Sequence, residues 1–317
     1  MTFAEHHLII TIAVLASLGL LAATPACAQM PPDIAEKIAA LGRVVDPEGT
    51  APIYAPLQEN EPYGGLKVLR DVKYGPDARN LVDIFAAEGA SGARPVLMFV
   101  HGGAYTRGNK RPPGSPFYDN VMVWAARNGM VGVNVEYRLA PQFPWPAGAE
   151  DLGAAVRWVA DNIAAHGGDR SRIFLMGHSA GATHVATYVS HPEFHGPKGS
   201  DLAGAMFSSG VFDLTKTETS EGQRAYFGEN RDLYRERSAL SGLLKTDIPF
   251  MMSAAELDPP MFLDQLALLK EAMCKTERGC VRSLVLPKHS HMSESYAINT
   301  PDTQLTSQLL EFIRTGK

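Results

Sequence analysis

The strongest constraint on the fold of this chain is a short apolar strand that leads into a glycine-flanked serine and then a helix. The strand covers 173–176, the turn reads Gly-His-Ser-Ala-Gly over 177–181, and a helix-compatible segment follows over 180–189. A side chain at either flank of so tight a turn would collide with the neighbouring backbone, which explains the two glycines. The pattern is typical of a nucleophile elbow, so Ser179 is the candidate nucleophile.

A second glycine-rich turn lies upstream of this serine. The apolar run 96–100 leads directly into His101, Gly102 and Gly103. Without side chains, these glycines allow peptide N–H groups to approach a substrate oxygen and stabilise the negative charge of a tetrahedral intermediate. We therefore expect Gly102 and Gly103 to form an oxyanion hole, with the N–H of Ala180 as the remaining donor.

These two turns and a third motif together resemble a known family. The motifs are His-Gly-Gly-Ala at 101–104, Tyr-Arg-Leu-Ala-Pro at 137–141 and the elbow at 177–181. The chain resembles the α/β-hydrolase-fold serine carboxylesterases, near the hormone-sensitive-lipase-like, feruloyl-esterase-like and kynurenine-formamidase-like branches, over most of 65–317. The resemblance implies a mostly parallel central sheet with helices on both faces and a small cap. It also implies a serine, acid and histidine triad in that order, with no cofactor and no metal.

The acid and the base are expected after the last two strands of the sheet, where α/β proteins place their sites. Asp258 follows the strand 250–254, and the stretch Glu-Leu-Asp-Pro resembles the family's acid loop, so we favour it over Glu256. Two histidines follow the strand 283–286. We favour His291 over His289, because it directly precedes a helix-like segment and fits the family's final loop.

The periodicity and composition agree with this assignment. The chain has 317 residues, of which 45% are hydrophobic and 20% charged, which suits one large α/β domain. A net charge of −5 and a pI near 6.1 give no electrostatic reason to expect nucleic-acid binding. No pattern in the sequence specifies an oligomeric state.

The periodicity of the sequence predicts the order of the elements. We predict an N-terminal arm over 29–65 with a helix at 34–41, then an antiparallel pair of strands at 68–74 and 81–86, and a helix at 149–165. The predicted parallel strands are 96–100, 130–136, 173–176, 204–208, 250–254 and 283–286.

The N-terminus has the pattern of a signal peptide over 1–28. The segment 8–23 is almost wholly apolar and is followed by Ala26-Cys27-Ala28, so we expect cleavage after Ala28 and a mature chain beginning at Gln29. The segment is shorter than the roughly 20 residues of a spanning helix, which makes a permanent membrane anchor the weaker alternative. The expected location is the bacterial periplasm or the medium, without stable membrane insertion.

Export would leave two cysteines in the mature chain. Cys274 and Cys280 then form an even pair in a polar segment, and an oxidising compartment would allow a short disulfide between them. The alternative is two free thiols. Metal binding is not expected, because no CxxC motif or histidine pair at ligand spacing accompanies the cysteines.

The substrate site is less well specified by the sequence. A cap at about 212–247 is expected near the entrance, and the candidate substrate-binding residues are Ala104, Tyr105, His178 and Phe212, with Tyr118, Tyr226 and Phe227 as further aromatic candidates. Outside the triad, we expect His101 to brace the glycine loop and His184 to occupy a surface or helix position with no partner at a recognisable sequence spacing. The absence of a long lid favours a small-molecule ester, short-chain or aromatic. The alternatives are an aryl formamidase or other amidase with the same triad, and a non-catalytic ligand-binding member of the fold.

Overall fold

The structure is a computed structural model that describes residues 29–316, and its centre is one eight-stranded sheet. The strand order is β1-β2-β4-β3-β5-β6-β7-β8, in which β2 runs antiparallel to both of its neighbours and the remaining pairs are parallel. The strands are β1 (Leu66–Lys73), β2 (Leu81–Ala87), β3 (Arg94–Val100), β4 (Val131–Val135), β5 (Gly168–His178), β6 (Gly204–Ser208), β7 (Phe250–Ala255) and β8 (Ser283–Leu286). The predicted mostly parallel α/β-hydrolase sheet is confirmed.

Helices cover both faces of this sheet. They are α1 (Pro32–Leu41), α2 (Pro47–Tyr54), α3 (Asp119–Arg127), α4 (Ala147–Asn162), α5 (Ala180–Ser190), α6 (Glu221–Phe227), α7 (Tyr234–Arg237), α8 (Leu240–Leu243), α9 (Pro260–Cys274), α10 (Ser293–Tyr296) and α11 (Gln304–Thr315). Helices α4, α5 and α9 contribute to the hydrophobic core on one face, and α1, α3 and α11 contribute to the core on the other.

Strand β3 shows why the central strands are apolar throughout. Val96, Met98 and Val100 point into the first core, and Leu97 and Phe99 point into the second. Because side chains alternate across a strand, a strand buried on both faces has no polar face and reads as a continuous apolar run. This pattern, followed by a glycine turn, made β3 easy to identify from the sequence.

Two of the differences from the prediction have a clear physical reason. Strand β5 begins at Gly168, five residues before the predicted Ile173, because its polar first half extends the pairing toward Arg94 of β3. Helix α2 was not predicted, since prolines disfavour helix interiors. Its Pro47 lies in the first turn, where a missing N–H costs no hydrogen bond, and Asp46 caps the helix by accepting from the Gly49 N–H at 2.8 Å.

The predicted arm at 29–65 carries α1 and α2, which pack on the second core through Ile34, Ile38 and Tyr54. The segment predicted to be a cap lies between β6 and β7 and carries the short helices α6, α7 and α8. The predicted signal peptide at 1–28 lies outside the described residues. None of the helices between residues 29 and 316 is long and apolar enough to cross a bilayer.

Helix α4 provides a test of how the first core stabilises the fold. Leu152 on α4 is 0% exposed, whereas Leu57 is 43% exposed. We expect Leu152→Ala to lower the free energy of unfolding by roughly 2–5 kcal/mol, because it removes buried methyl groups and leaves a cavity. The matched change Leu57→Ala should cost less than about 0.5 kcal/mol. Denaturant unfolding monitored by circular dichroism measures both, and equal losses would contradict this placement of the core.

Candidate active site

Ser179 lies on a strained turn between β5 and α5. Its backbone has φ 57° and ψ −123°, a conformation that non-glycine residues rarely adopt. The Ser179 N–H donates to the carbonyl of Ser208 at 2.8 Å, which ties the turn to the neighbouring strand β6. A Cβ at Gly181 would lie only 2.2 Å from the carbonyl oxygen of Val100, so only glycine lets α5 approach β3 this closely. This packing maintains the turn and places Ser179 in the wall of a cleft.

The glycine loop after β3 runs directly beside this serine. A Cβ at Gly102 would lie 2.9 Å from the Cβ of Ser179, so the loop backbone is in contact with the candidate nucleophile. Gly103 also lines the cleft. Ala180 is the first residue of α5, where a peptide N–H has no intrahelical acceptor. The structure therefore brings together the three residues predicted to form an oxyanion hole.

His101 braces the glycine loop from behind, as expected from its position in the sequence. Its Nδ1 donates to the carbonyl of Gly102 at 2.6 Å, and its Nε2 contacts Oε1 of Glu136 at 2.9 Å. The ring of Tyr137 stacks on the imidazole at 4.5 Å, and the Tyr137 hydroxyl donates to the His101 carbonyl. Arg79 also binds Glu136, so this buried carboxylate is paired with a cation. The network fixes the orientation of the loop that would bind the oxyanion.

Asp258 and His291 come together at the carboxyl ends of β7 and β8. Nδ1 of His291 lies 2.6 Å from Oδ1 of Asp258, and both side chains are fully buried. The second carboxylate oxygen of Asp258 accepts from the N–H of Ala255 at 2.8 Å. Nε2 of His291 is buried and has no hydrogen-bond partner within residues 29–316. The imidazole is thus held by the acid through one nitrogen, and its other nitrogen is available to a nucleophile.

The two alternative residues are engaged elsewhere. Glu256 is exposed, and its carboxylate accepts from the N–H of Lys288 at 2.6 Å. His289 points to Asp302, with 3.0 Å between its Nε2 and the carboxylate. Burial raises the pKa of Asp302, but the hydrogen bond and charge of His289 outweigh it and the net pKa is lowered. This geometry favours Asp258 over Glu256, and His291 over His289.

His178, the second residue of the elbow, lies directly against the candidate base. Its Nε2 donates to the carbonyl of His291 at 2.8 Å, and the two ring centroids are 4.7 Å apart. Burial, and then the nearby charge of His291, lower the pKa of His178 to about 3. A neutral His178 therefore supports the loop of His291 without adding a positive charge beside it.

Two further side chains in this region were not predicted. Ser209 follows β6 and Glu294 lies in α10, three residues after His291, and both are buried next to Asp258. The sequence offered only a weak signal for them, namely a carboxylate three residues after the candidate base. Their pairing with Asp258 depends on how three separate strand ends meet.

The cleft beside Ser179 has a volume of about 400 Å³. Ala104, Tyr105 and His178 line it, as predicted, together with Tyr118. Further lining residues are Val45, Pro47, Thr183, Val211, Ser220, Gln223, Met261, Phe262, Met292 and Tyr296. In the part of the chain that the structure describes, no cluster of three or more His, Cys, Asp or Glu side chains could hold a metal ion.

Phe212 is a correction to the predicted substrate site. Its side chain is buried in the first core and packs against Phe207, with ring centroids 5.7 Å apart, and it does not line the cleft. Tyr226 and Phe227 lie one layer behind the cleft, each with its ring 5.3 Å from the ring of Tyr105. All three aromatic side chains are buried in the protein interior, which the sequence pattern does not reveal.

His184 lies on helix α5, and a helix position was one of the two kinds predicted for it. It is fully buried and makes edge contacts with the rings of Tyr105, Tyr137 and Tyr226 at 4.8–5.4 Å. Burial, and then the charge of His101, lower the pKa of His184 to about 3. This histidine is a neutral core residue of α5 that supports the wall of the cleft.

Comparison with known proteins agrees with the fold. The BD-FAE family model matches residues 82–197, a range that contains both the glycine loop and the elbow. Esterase LipQ of Mycobacterium tuberculosis is 30% identical over 242 residues, covering 70% of this chain and 56% of LipQ. Esterase LipC of the same organism is 27% identical over 267 residues, covering 77% of this chain and 64% of LipC. The chain therefore spans less than two thirds of the length of either relative.

Among solved structures, a hyperthermophilic esterase from the archaeon Pyrobaculum calidifontis superposes with a TM-score of 0.65 at 20% identity. The superposition covers 91% of this chain and 99% of the archaeal esterase. At this identity the likeness establishes the shared fold. The chain has the α/β-hydrolase fold, and its sequence is similar to those of the mycobacterial esterases LipQ and LipC over 70% and 77% of its length.

Proposed function

We propose that this protein is a serine carboxylesterase that cleaves small esters with Ser179 as nucleophile, His291 as base and Asp258 as acid. The observation that carries the proposal is the buried imidazole of His291. One of its nitrogens is bound to Asp258 at 2.6 Å, its other nitrogen is unpaired within residues 29–316, and its ring packs beside the elbow that presents Ser179.

In the first step, Nε2 of His291 accepts the proton of the Ser179 hydroxyl while Oγ attacks the ester carbonyl carbon. Asp258 holds the imidazole in the tautomer that has its proton on Nδ1, and it stabilises the imidazolium that forms. The carbonyl oxygen becomes an oxyanion, which the N–H groups of Gly102, Gly103 and Ala180 stabilise.

In the second half of the reaction, the imidazolium donates its proton to the leaving alcohol oxygen, and the ester bond breaks to give an acyl-enzyme. Water then attacks the acyl carbon, His291 accepts a proton from that water, and the carboxylic acid leaves as Ser179 regains its proton. The buried His291–Asp258 pair serves both halves, because the imidazole returns to its neutral form after each transfer.

The shape of the cleft supports small substrates. A volume of about 400 Å³ lies at the small end of ligand sites. The lining is mainly apolar, and Tyr118 and Tyr296 lie in the wall with their ring centroids 5.9 Å apart. These features favour short acyl chains and small aromatic esters over long lipids.

We also propose that the chain is exported after cleavage following Ala28. Support comes from the signal-like segment and from the placement of Cys274, the last residue of α9, within bonding distance of Cys280. A disulfide at this position would form and persist in an oxidising compartment such as the periplasm.

The ester activity can be tested with the mature chain 29–317 on p-nitrophenyl esters of increasing acyl length, hydroxycinnamate esters and N-formylkynurenine. We expect the highest kcat/KM for short-chain or aromatic esters, and a loss of roughly 10⁴-fold or more in Ser179→Ala, because the nucleophile is removed. Activity confined to the formamide would instead assign the protein to the formamidase alternative. No turnover, together with no labelling of Ser179 by a fluorophosphonate, would support a non-catalytic role.

The choice of base can be tested with two matched variants. We expect His291→Ala to lower kcat by roughly 10⁴-fold or more, because Ser179 then lacks a proton acceptor. His289→Ala should retain kcat within about tenfold, since its partner is Asp302. Thermal unfolding of both variants controls for the loss of the His289 ion pair. Loss of turnover in His289→Ala alone would refute the assignment.

Export and the disulfide can be tested together by expressing the full chain in a bacterium and fractionating the cells. The periplasmic protein should begin at Gln29, and non-reducing peptide mapping should yield one cross-linked peptide containing Cys274 and Cys280. Recovery of both thiols free from periplasmic protein would refute the disulfide, and an uncleaved N-terminus in the cytoplasmic fraction would refute export.

A further inference from the structure

A second buried carboxyl group lies behind Asp258 and has no place in the reaction described above. Glu294 is the second residue of the short helix α10, three residues after His291, and it is 1% exposed. The hydroxyl of Ser209 lies between the two carboxyl groups, 2.6 Å from Oδ2 of Asp258 and in hydrogen-bond contact with Oε2 of Glu294. The other oxygen of Glu294 accepts a hydrogen bond from the hydroxyl of Ser253.

The strand ends hold this arrangement in place. Ser208 and Ser253 are register partners in β6 and β7, and their hydroxyls are hydrogen-bonded at 3.0 Å. Ser209 follows at once and has φ 51°, a left-handed conformation that is unfavourable for serine. Its N–H donates to the carbonyl of Ser253 at 2.9 Å. A strained backbone held by its neighbours therefore directs the Ser209 hydroxyl between the two carboxyl groups.

One of the two carboxyl groups, Asp258 or Glu294, must be neutral. A hydroxyl has a single proton, so Ser209 can donate to only one carboxylate. If both groups were ionised, a carboxylate oxygen would face a hydroxyl lone pair at contact distance in a site closed to water, which is strongly unfavourable. The arrangement is satisfied when one carboxyl group carries a proton and donates it to Ser209, which in turn donates to the other.

The partners of each group decide which one carries the proton. Asp258 accepts from the imidazole of His291, from the Ala255 N–H and from Ser209. Within residues 29–316, the side-chain oxygens of Glu294 form hydrogen bonds only with serine hydroxyls, and no Lys or Arg forms an ion pair with them. Three donors stabilise the ionised form of Asp258, so the proton belongs on Glu294.

We propose that Glu294, as a neutral carboxylic acid, is a positioning residue for the triad: it donates to Ser209, which donates to Oδ2 of Asp258 and so fixes the acid that orients His291. This inference rests on the proposed serine esterase function. Beside the triad, two more residues then contribute to the reaction. Ser209 and Glu294 do so only through Asp258.

The electrostatic environment supports the protonated state. Burial, and then the charge of Asp258, raise the pKa of Glu294 to about 8. Above that pH Glu294 ionises, so two carboxylates compete for the single hydroxyl proton of Ser209. Asp258 then loses Ser209 as a hydrogen-bond donor. The titratable and charged groups on the surrounding elements are Asp258, His291, His178, Arg43, Tyr54, His289, Asp302 and Tyr296.

The test compares the pH profile of kcat/KM in wild type, Glu294→Gln and Ser209→Ala. The control is Glu256→Gln, because Glu256 is an exposed carboxyl group that follows β7, the strand that precedes Asp258. Wild type and the control should lose activity above about pH 8. Glu294→Gln keeps a neutral donor to Ser209, so it should retain activity within about threefold at pH 7 and lack this alkaline decline. Ser209→Ala should lower kcat by about 10- to 100-fold with little change in KM, because Asp258 loses a charge-assisted hydrogen bond.

Infrared spectroscopy gives a readout that is independent of turnover. Wild type at pH 7 should show the carbonyl stretch of a buried protonated carboxyl group, and Glu294→Gln should lack it. An alkaline decline in Glu294→Gln that superimposes on wild type, or the absence of this band from wild type, would overturn the proposal. If no ester is hydrolysed by wild type, the proposed function fails, while the infrared band still decides the protonation state of Glu294.

Discussion

The close approach of helix α5 to the end of strand β3 is the contact on which the rest of the site depends. Gly181 lies so near the carbonyl of Val100 that any side chain there would force the helix away from the sheet. That contact holds the strained turn at Ser179, which a free chain would relax at a gain of roughly 1–3 kcal/mol. It also brings the first N–H of α5 next to the loop at Gly102. The candidate nucleophile and the proposed oxyanion donors are therefore positioned by one packing contact, made by backbone atoms that have little freedom to adjust.

Buried polar networks then orient the groups that cannot be placed by packing alone. Under the glycine loop, His101 is held between a loop carbonyl and the Glu136 carboxylate, which Arg79 neutralises. Behind the base, Asp258 accepts hydrogen bonds through both of its oxygens. A buried charge is tolerated only when it is paired and hydrogen-bonded, so each network has few alternative arrangements. The chemistry proposed for this cleft needs that rigidity, because proton transfer between Ser179 and His291 depends on a fixed geometry.

Much of the architecture was predictable because the signals are local. The buried strands are apolar runs that end in glycine turns, and the strand 204–208 was predicted with its observed boundaries. The prediction was wrong for Phe212, a side chain that had to be assigned to one of two apolar environments. It was expected in the cleft and lies in the core. An aromatic residue after a strand has the same sequence pattern in both cases, since both environments are apolar.

The sequence by itself determined the strand, turn and helix around Ser179 and the glycine loop at 101–104, because each rests on steric requirements within a few neighbouring residues. Only the tertiary structure decided which histidine meets Asp258, and it alone revealed the carboxyl group of Glu294 behind that aspartate. His291 is 33 residues from Asp258, and Glu294 is 85 residues from Ser209. Contacts over such separations are set by the register and twist of neighbouring strands. No local pattern of residues encodes which side chains those strand ends bring together.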